Sequence, residues 1–273
     1  FWKSGEADYI ELTHNLGAAG FTGITLDRKS ERAALSDALH KLFSKSHRRL
    51  IRPLGNKAVG YGVYREEVNT DGESLNHIEI LRVKVVSGQL IFSGDKYDSL
   101  ADKDRNKIAA LVGVHFDQEK DKVSDAQVTR LLVRQLNSLQ GVSLRPRGGI
   151  YWLNTARVGE WERFATVVEA SATMESSIEV YRQNVAMDDD AIRAVSAALT
   201  HEISKTVDEI KSEVGAGNAG NRRLKTLGGT ANKLHDKIRE YESLFGVALQ
   251  SLHEAANDAA KTAAFAAMQT MGA

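Results

Sequence analysis

The chain has 273 residues, 42% of them hydrophobic and 26% charged, proportions that exclude disorder along its whole length and allow one large domain or two ordinary ones. Thirty-six basic residues balance thirty-six acidic ones, which excludes a generally cationic nucleic-acid coat and a strongly acidic mimic but leaves room for local patches. Cysteine is absent, so disulfides, thiolate zinc sites and thiol nucleophiles are excluded as well. No run of eighteen apolar residues occurs, so no membrane partner is expected and the protein is read as cytoplasmic. The chain starts at Phe1 rather than methionine, and further residues upstream, a signal peptide among them, fit that start.

In chain order, the first clear helix is predicted from Ser30 to Phe43, with Ser30 as N-cap and Ala34, Leu35, Ala38, Leu39 and Leu42 at helical spacing. The period then changes. Val59, Tyr61 and Val63 alternate with Gly60, Gly62 and Tyr64, Ile78 to Val86 is β-rich, and Gln89 to Ser93 makes a third short run. Turn residues separate them, at Leu54-Gly55-Asn56, Asp71-Gly72 and Ser87-Gly88. Such short connections predict an antiparallel meander rather than a doubly wound parallel sheet.

Two helices are expected next, from Leu100 to about Gln118, and from a capping box at Ser124-Asp125-Ala126-Gln127 to a stop at Gly141. Val142 to Leu153 reads as a hairpin turning at Pro146-Arg147-Gly148-Gly149. A helix near Val158 to Ala170 and a strand near Ile178 to Tyr181 complete an α+β head, assigned to residues 1–185. Past Met187 the pattern is helical throughout. Ile192, Val195, Leu199, Ile203, Val207, Ile210 and Val214 form one stripe. A glycine-rich turn follows, and Leu224, Leu227, Ala231, Leu234, Ile238, Tyr241, Phe245, Ala248 and Leu252 form a second stripe, continuing through the alanine-rich tail to Met271. Residues 186–273 therefore predict a long antiparallel helical hairpin. Stripes this long exceed what a small domain covers, so homo-oligomerisation through residues 190–270 is expected.

The candidate chemistry is cationic. From Ala126 to Gly159 the chain holds Arg130, Arg134, Arg145, Arg147 and Arg157 and no acid. Arg145 and Arg147 flank a proline beside two glycines, and Tyr151 and Trp152 follow directly. Arginine forks, exposed amides and aromatic faces suit phosphate or single-stranded nucleic acid. The plainer alternative is a tight hairpin whose arginines pair with acids and whose aromatics are core. Between Arg28 and Arg52 eight basic residues meet only Glu31 and Asp37, and Ser46-His47-Arg48-Arg49 lies between a helix and a strand, where a basic loop could meet a phosphate backbone, with Arg52 shortly after it. Solvated charge is the rival reading there. Gly55, Gly60 and Gly62 do not form a phosphate loop, because they lie in a strand and Lys57 lacks its Ser/Thr context. The eight histidines show no metal spacing, Asp188 to Asp190 reads as a helix cap, and no nucleophile stands out. No catalytic residue, metal or cofactor is expected.

Arg145-Pro146-Arg147-Gly148-Gly149-Ile150-Tyr151-Trp152 and Arg239-Glu240-Tyr241-Glu242-Ser243-Leu244-Phe245-Gly246, with the order of parts around them, resemble uncharacterised phage- and mobile-element-borne bacterial proteins. The resemblance implies an α/β N-terminal region, a helical-hairpin C-terminus and a setting in phage biology or defence, and carries over no site. The expectation is a non-enzymatic binding and assembly protein whose head takes a polyanion, with Arg48, Arg49, Arg52, Arg145, Arg147, Tyr151 and Trp152 as contacts. A scaffold that binds a protein partner is the first alternative, and a nucleotide- or nucleic-acid-processing enzyme the second.

Overall fold

The computed structural model describes residues 1–44, 49–55, 59–68, 75–145, 149–217, 219–246 and 249–271. In chain order they form β1 (Trp2–Lys3), β2 (Ala7–Asp8), α1 (Tyr9–Ala18), α2 (Glu31–Phe43), β3 (Arg49–Pro53), β4 (Val59–Val68), β5 (Leu75–Val86), β6 (Gln89–Ser93) and α3 (Asp95–Asp98). Then come α4 (Asp102–Lys120), β7 (Lys122–Val123), α5 (Asp125–Ser138), β8 (Val142–Ser143), β9 (Tyr151–Trp152), α6 (Thr155–Ala170), β10 (Glu179–Val180), α7 (Asp189–Gly215), α8 (Asn221–Phe245) and α9 (Gln250–Met271). This is the expected α+β class, an α/β N-terminal region followed by a helical C-terminus. Among the described residues no helix is long and apolar enough to cross a membrane.

Two compact units emerge, one of residues 4–129 and 166–178 and the other of residues 1–3, 130–165 and 179–273. The boundary expected at 185/186 lies elsewhere in this division, because side chains of α8 hold the segment that follows α5.

In the first unit, β3, β4, β5 and β6 make one antiparallel sheet in sequence order, the predicted meander with an added edge strand. Ser87 and Gly88 turn β5 into β6 with φ of 51° and 80°, the left-handed pair that a tight hairpin needs. One face of the sheet, with Val63, Leu81, Val83 and Val85, packs on Ala34, Leu35, Ala38 and Leu39 of α2 and on Val112 and Phe116 of α4. The Ser30 hydroxyl caps α2 by accepting from the Ala33 amide, and Ser124 and Gln127 close the expected capping box on α5. Near the end of α4, Glu119 is 5% exposed. It is paired with Lys29 at 2.9 Å and Lys122 at 2.9 Å, which in turn reach Asp37 and Glu6. Burial alone would raise the Glu119 carboxyl, but hydrogen bonds from Lys122 and Lys29 outweigh it and hold the group below its usual range.

In the second unit α7, α8 and α9 share one core. Val195, Leu199, Ile203, Val207 and Ile210 meet Leu224, Leu227, Ala231, Leu234, Ile238 and Tyr241, and Leu252, Ala256, Ala259 and Ala263 complete it. The second stripe thus does not run unbroken to Met271. Gly246 caps α8 in the left-handed region, with φ of 63°, and the alanine-rich tail turns back as α9. Its small residues let the three helices approach closely, and both stripes are buried within one chain. The bundle also grips the segment after α5. Gln140, left-handed with φ of 61°, ends that helix, and its carbonyl accepts from the Tyr241 hydroxyl at 2.8 Å. The buried Lys237 ammonium donates to the Gly141 carbonyl at 2.8 Å and the Glu202 carboxylate at 2.6 Å. Val142 joins the bundle core directly.

Candidate nucleic-acid interface

The hairpin that starts from this anchor carries the first candidate residues. Val142 pairs with Trp152 and Ser143 with Tyr151, antiparallel as expected. The half-buried Trp152 ring faces Tyr241 at 5.5 Å and Phe245 at 6.2 Å. Tyr151 stacks on Trp2 at 5.5 Å, and burial pushes its phenol up. Both rings therefore help to hold the hairpin on its own unit. Arg145 is exposed, and no hydrogen bond or ion pair engages its side chain among the described residues. Arg147 lies outside the described residues. Arg157, in the same acid-free stretch, reaches Glu240 at 3.5 Å, as the plainer reading anticipates for arginines near a hairpin.

The other candidates lie in the sheet unit. Arg48 is outside the described residues. Arg49 is not in the expected loop, because residues 49–53 form the edge strand β3, which also carries Arg52. Arg49 stands over the Phe43 ring at 5.5 Å. Arg52 is exposed on the opposite face of the sheet, the outer one. The two arginine patches fall in different units.

Strand register brings further cations beside Arg52. Arg52 pairs with Gly62, Gly62 with Arg82 and Arg82 with Ser93, so the two arginines share a row on the outer face. They are two strands apart, roughly 10 Å. Lys84 sits one row on, opposite Gly60 and Ile91. Arg82 donates to the Glu79 carboxylate at 2.7 Å, and the Tyr64 hydroxyl donates to the same carboxylate at 3.2 Å. Arg52 and Lys84 have no acidic partner among the described residues. Beside them Val86 and Ile91 are each 49% exposed. Within this unit α2 and α3 pack against the core face instead, α3 through Tyr97 beside Phe92.

Sequence reading missed Tyr64, Arg82 and Lys84 because pairing register, not proximity along the chain, assembles them. A bulge between Val63 and Tyr64 resets that register. The alternation of Val59, Tyr61 and Val63 did signal that Gly60, Gly62 and Tyr64 face away from the core. The glycines serve close packing, as strand glycines do, and not a phosphate loop. A Cβ on Gly60 would lie 2.7 Å from the Val83 carbonyl oxygen and 3.1 Å from Cγ of Lys84.

Among the described residues no three His, Cys, Asp or Glu side chains gather so as to hold a metal ion. A hollow of the sheet unit, about 550 Å³, is lined by Asp8, Glu11, Lys41, Asp117, Glu119 and Lys122 among others. Its lysines are engaged by carboxylates, Lys41 by Glu175 and Lys122 by Glu6 and Glu119.

The class these features define is an α+β protein with an antiparallel sheet unit and a three-helix bundle, with Arg52, Arg82 and Lys84 on the outer face of the sheet. The chain belongs to the family described as "Family of unknown function (DUF6744)", whose model matches residues 7–271. No curated protein and no solved structure matches it.

Proposed function

We propose that this protein is a non-enzymatic binding protein whose sheet unit takes a polyanion, single-stranded nucleic acid foremost, in the phage-biology or defence setting that the sequence resemblance implies. The observation that carries the reading is the outer sheet face, where Arg52 and Lys84 stand exposed or half-exposed without acidic partners among the described residues and Arg82 shares the row of Arg52. Cations held on a rigid sheet can neutralise phosphates with little ordering cost, and each neutralised phosphate releases counterions. Arg145, and Arg147 beside it in sequence, supply a second contact from the other unit.

Self-association is part of the proposal, with a changed surface. The stripes of α7 and α8 are already covered, so a second copy would meet the outward residues of α9, where Phe265 is 62% and Met268 65% exposed.

The test is binding of a labelled single-stranded oligonucleotide across a salt series. The double variant Arg52→Ala/Lys84→Ala should weaken binding and reduce the log–log salt slope by about 1.4, at roughly 0.7 per phosphate contact on a single strand. Arg145→Ala/Arg147→Ala should act in the same direction and leave the circular dichroism spectrum unchanged. Absence of binding at low salt would leave the protein-partner scaffold as the better account.

A further inference from the structure

Tyr64 is the one aromatic side chain of β4 on the outer, cationic face, and the sequence of the strand makes a place for it. Gly62 lies two residues earlier on that face. A Cβ there would sit 2.6 Å from Cε2, 2.7 Å from the hydroxyl oxygen and 2.8 Å from Cζ of Tyr64, so the ring occupies the space that any other residue would fill. It rests along β4 against the backbone of Gly62, in the row that holds Arg52 on one side and Arg82 on the other. Its hydroxyl is tied to Glu79 at 3.2 Å, and Glu79 is tied to Arg82 at 2.7 Å. That carboxylate is the acid nearest the ring, and Arg82 offsets it. Asp95 acts on Arg82 from farther away. The stem of Lys84 crosses beside Gly60 in the next row. The ring is half-buried, held at its tip by Glu79, and its close approach to Gly62 restricts its movement.

We infer that Tyr64 is a stacking platform for one unpaired base, with Arg52 and Lys84 as the phosphate contacts on either side of it. This rests on the polyanion reading above and deepens it: what the sheet recognises is a base with its flanking phosphates, not charge alone. An aromatic face held among cations suits a single strand, because a duplex buries its base faces in its own stack. The shared chemistry admits DNA or RNA, and the closing experiment separates them.

The experiment uses the full chain and four probes of about fifteen residues: oligo-dT, oligo-rU, an abasic DNA strand with the same phosphates and no bases, and a DNA duplex. Oligo-dT or oligo-rU should bind about tenfold more tightly than the abasic strand, the size of one base–aromatic stack. The better of the two identifies the sugar preferred. Tyr64→Ala should bring that probe down to the abasic level without changing the abasic affinity. Tyr64→Phe should keep the preference, because the ring remains. Gly62→Ala should lose it with the ring still present, because its new methyl displaces the far end of Tyr64. Circular dichroism on each variant shows whether the sheet unit is intact, and Tyr64→Phe keeps the comparison open if Gly62→Ala does not fold.

Equal binding of base-bearing, abasic and duplex probes, with Arg52→Ala/Lys84→Ala still weakening all of them, would overturn the platform and leave the polyanion reading standing. Failure of every probe to bind at low salt would remove the polyanion reading itself, and the platform with it.

Discussion

The bundle and the sheet use charge in opposite ways. In the bundle unit several long cationic side chains are tied into the fold, Arg145 being an exception. Lys237 bridges the Gly141 carbonyl and Glu202, Arg223 forks onto Glu213 at 2.6 and 2.7 Å, and Lys211 reaches Asp258 at 2.6 Å. In the sheet unit Lys29 and Lys122 do likewise around Glu119. On the outer face of the four-stranded sheet, Arg52 and Lys84 are left without such partners among the described residues. A charge count along the chain treats these cations alike; their neighbours separate those that hold the protein together from those available to a ligand.

The largest expected effect breaks the bundle half of that comparison. Ile203 is fully buried where α7 meets its neighbours. Ile203→Asp buries an unpaired charge and should cost about 4 kcal/mol. Because the stripe is covered by α8 and α9 of the same chain, the loss should appear as unfolded helix by circular dichroism. Full helicity with only a smaller particle by light scattering would show instead that the stripe serves a second copy.

Next in size is the charge cluster under the sheet unit. Glu119→Ala leaves Lys29 and Lys122 with their inner partner gone, and an uncompensated buried charge costs about 3 kcal/mol. The outer carboxylates Asp37 and Glu6 keep the effect from being larger. Since the folded Glu119 carboxyl sits below its usual range, its contribution is fully present above that range and is lost as pH falls through the lowered value. Chemical denaturation at neutral pH and in acid should therefore show a gap between wild type and variant that narrows in acid. A gap that stays constant across that range would mean that the carboxylate's charge is not what matters.

How much of this could be read beforehand follows from what each feature depends on. The helices were legible because caps and apolar spacing are local, from Ser30 at α2 to Asp188 at α7, whose side chain accepts from the Ala191 amide. The turn between α8 and α9 was not. Tyr241, Phe245, Ala248 and Leu252 keep helical spacing straight across it, and only Gly246 marks the reversal. β3 was hidden because Arg-Leu-Ile-Arg-Pro is short and mixes charge with a proline, as edge strands do. Of the expected contacts, Arg52 and Arg145 could be found as exposed cations. That Trp152 and Tyr151 would be held by Tyr241, Phe245 and Trp2 needed the tertiary structure.

The smallest expected effect lies at the contact between α8 and α9, where two histidines meet. His235 and His253 stack at 5.6 Å with their planes 13° apart, and their Nδ1 atoms are 3.3 Å from each other. His253 Nε2 is 2.8 Å from the Glu242 carboxylate. One proton arrangement satisfies this chain: His253 donates from Nε2 to Glu242 and accepts at Nδ1 from His235, leaving His235 Nε2 bare. That atom is buried and has no partner among the described residues. A proton added to His235 would be buried, and Asn257 and Asp236 do not offset that burial. Burial first, then His253 and Arg239, hold His235 below the usual 6.5, against the pull of Asp236 and Asn257. The unfolded chain has no such restraint and binds more protons in acid. Stability from this pair is therefore complete above 6.5 and declines as pH falls below it. Tm should drop by a few degrees more between pH 8 and pH 5 in the wild type than in His235→Phe, which keeps a stacked ring and has nothing to protonate. Parallel Tm curves for the two proteins would show that the pair is indifferent to charge, and that only the carboxylate cluster makes the fold acid-sensitive.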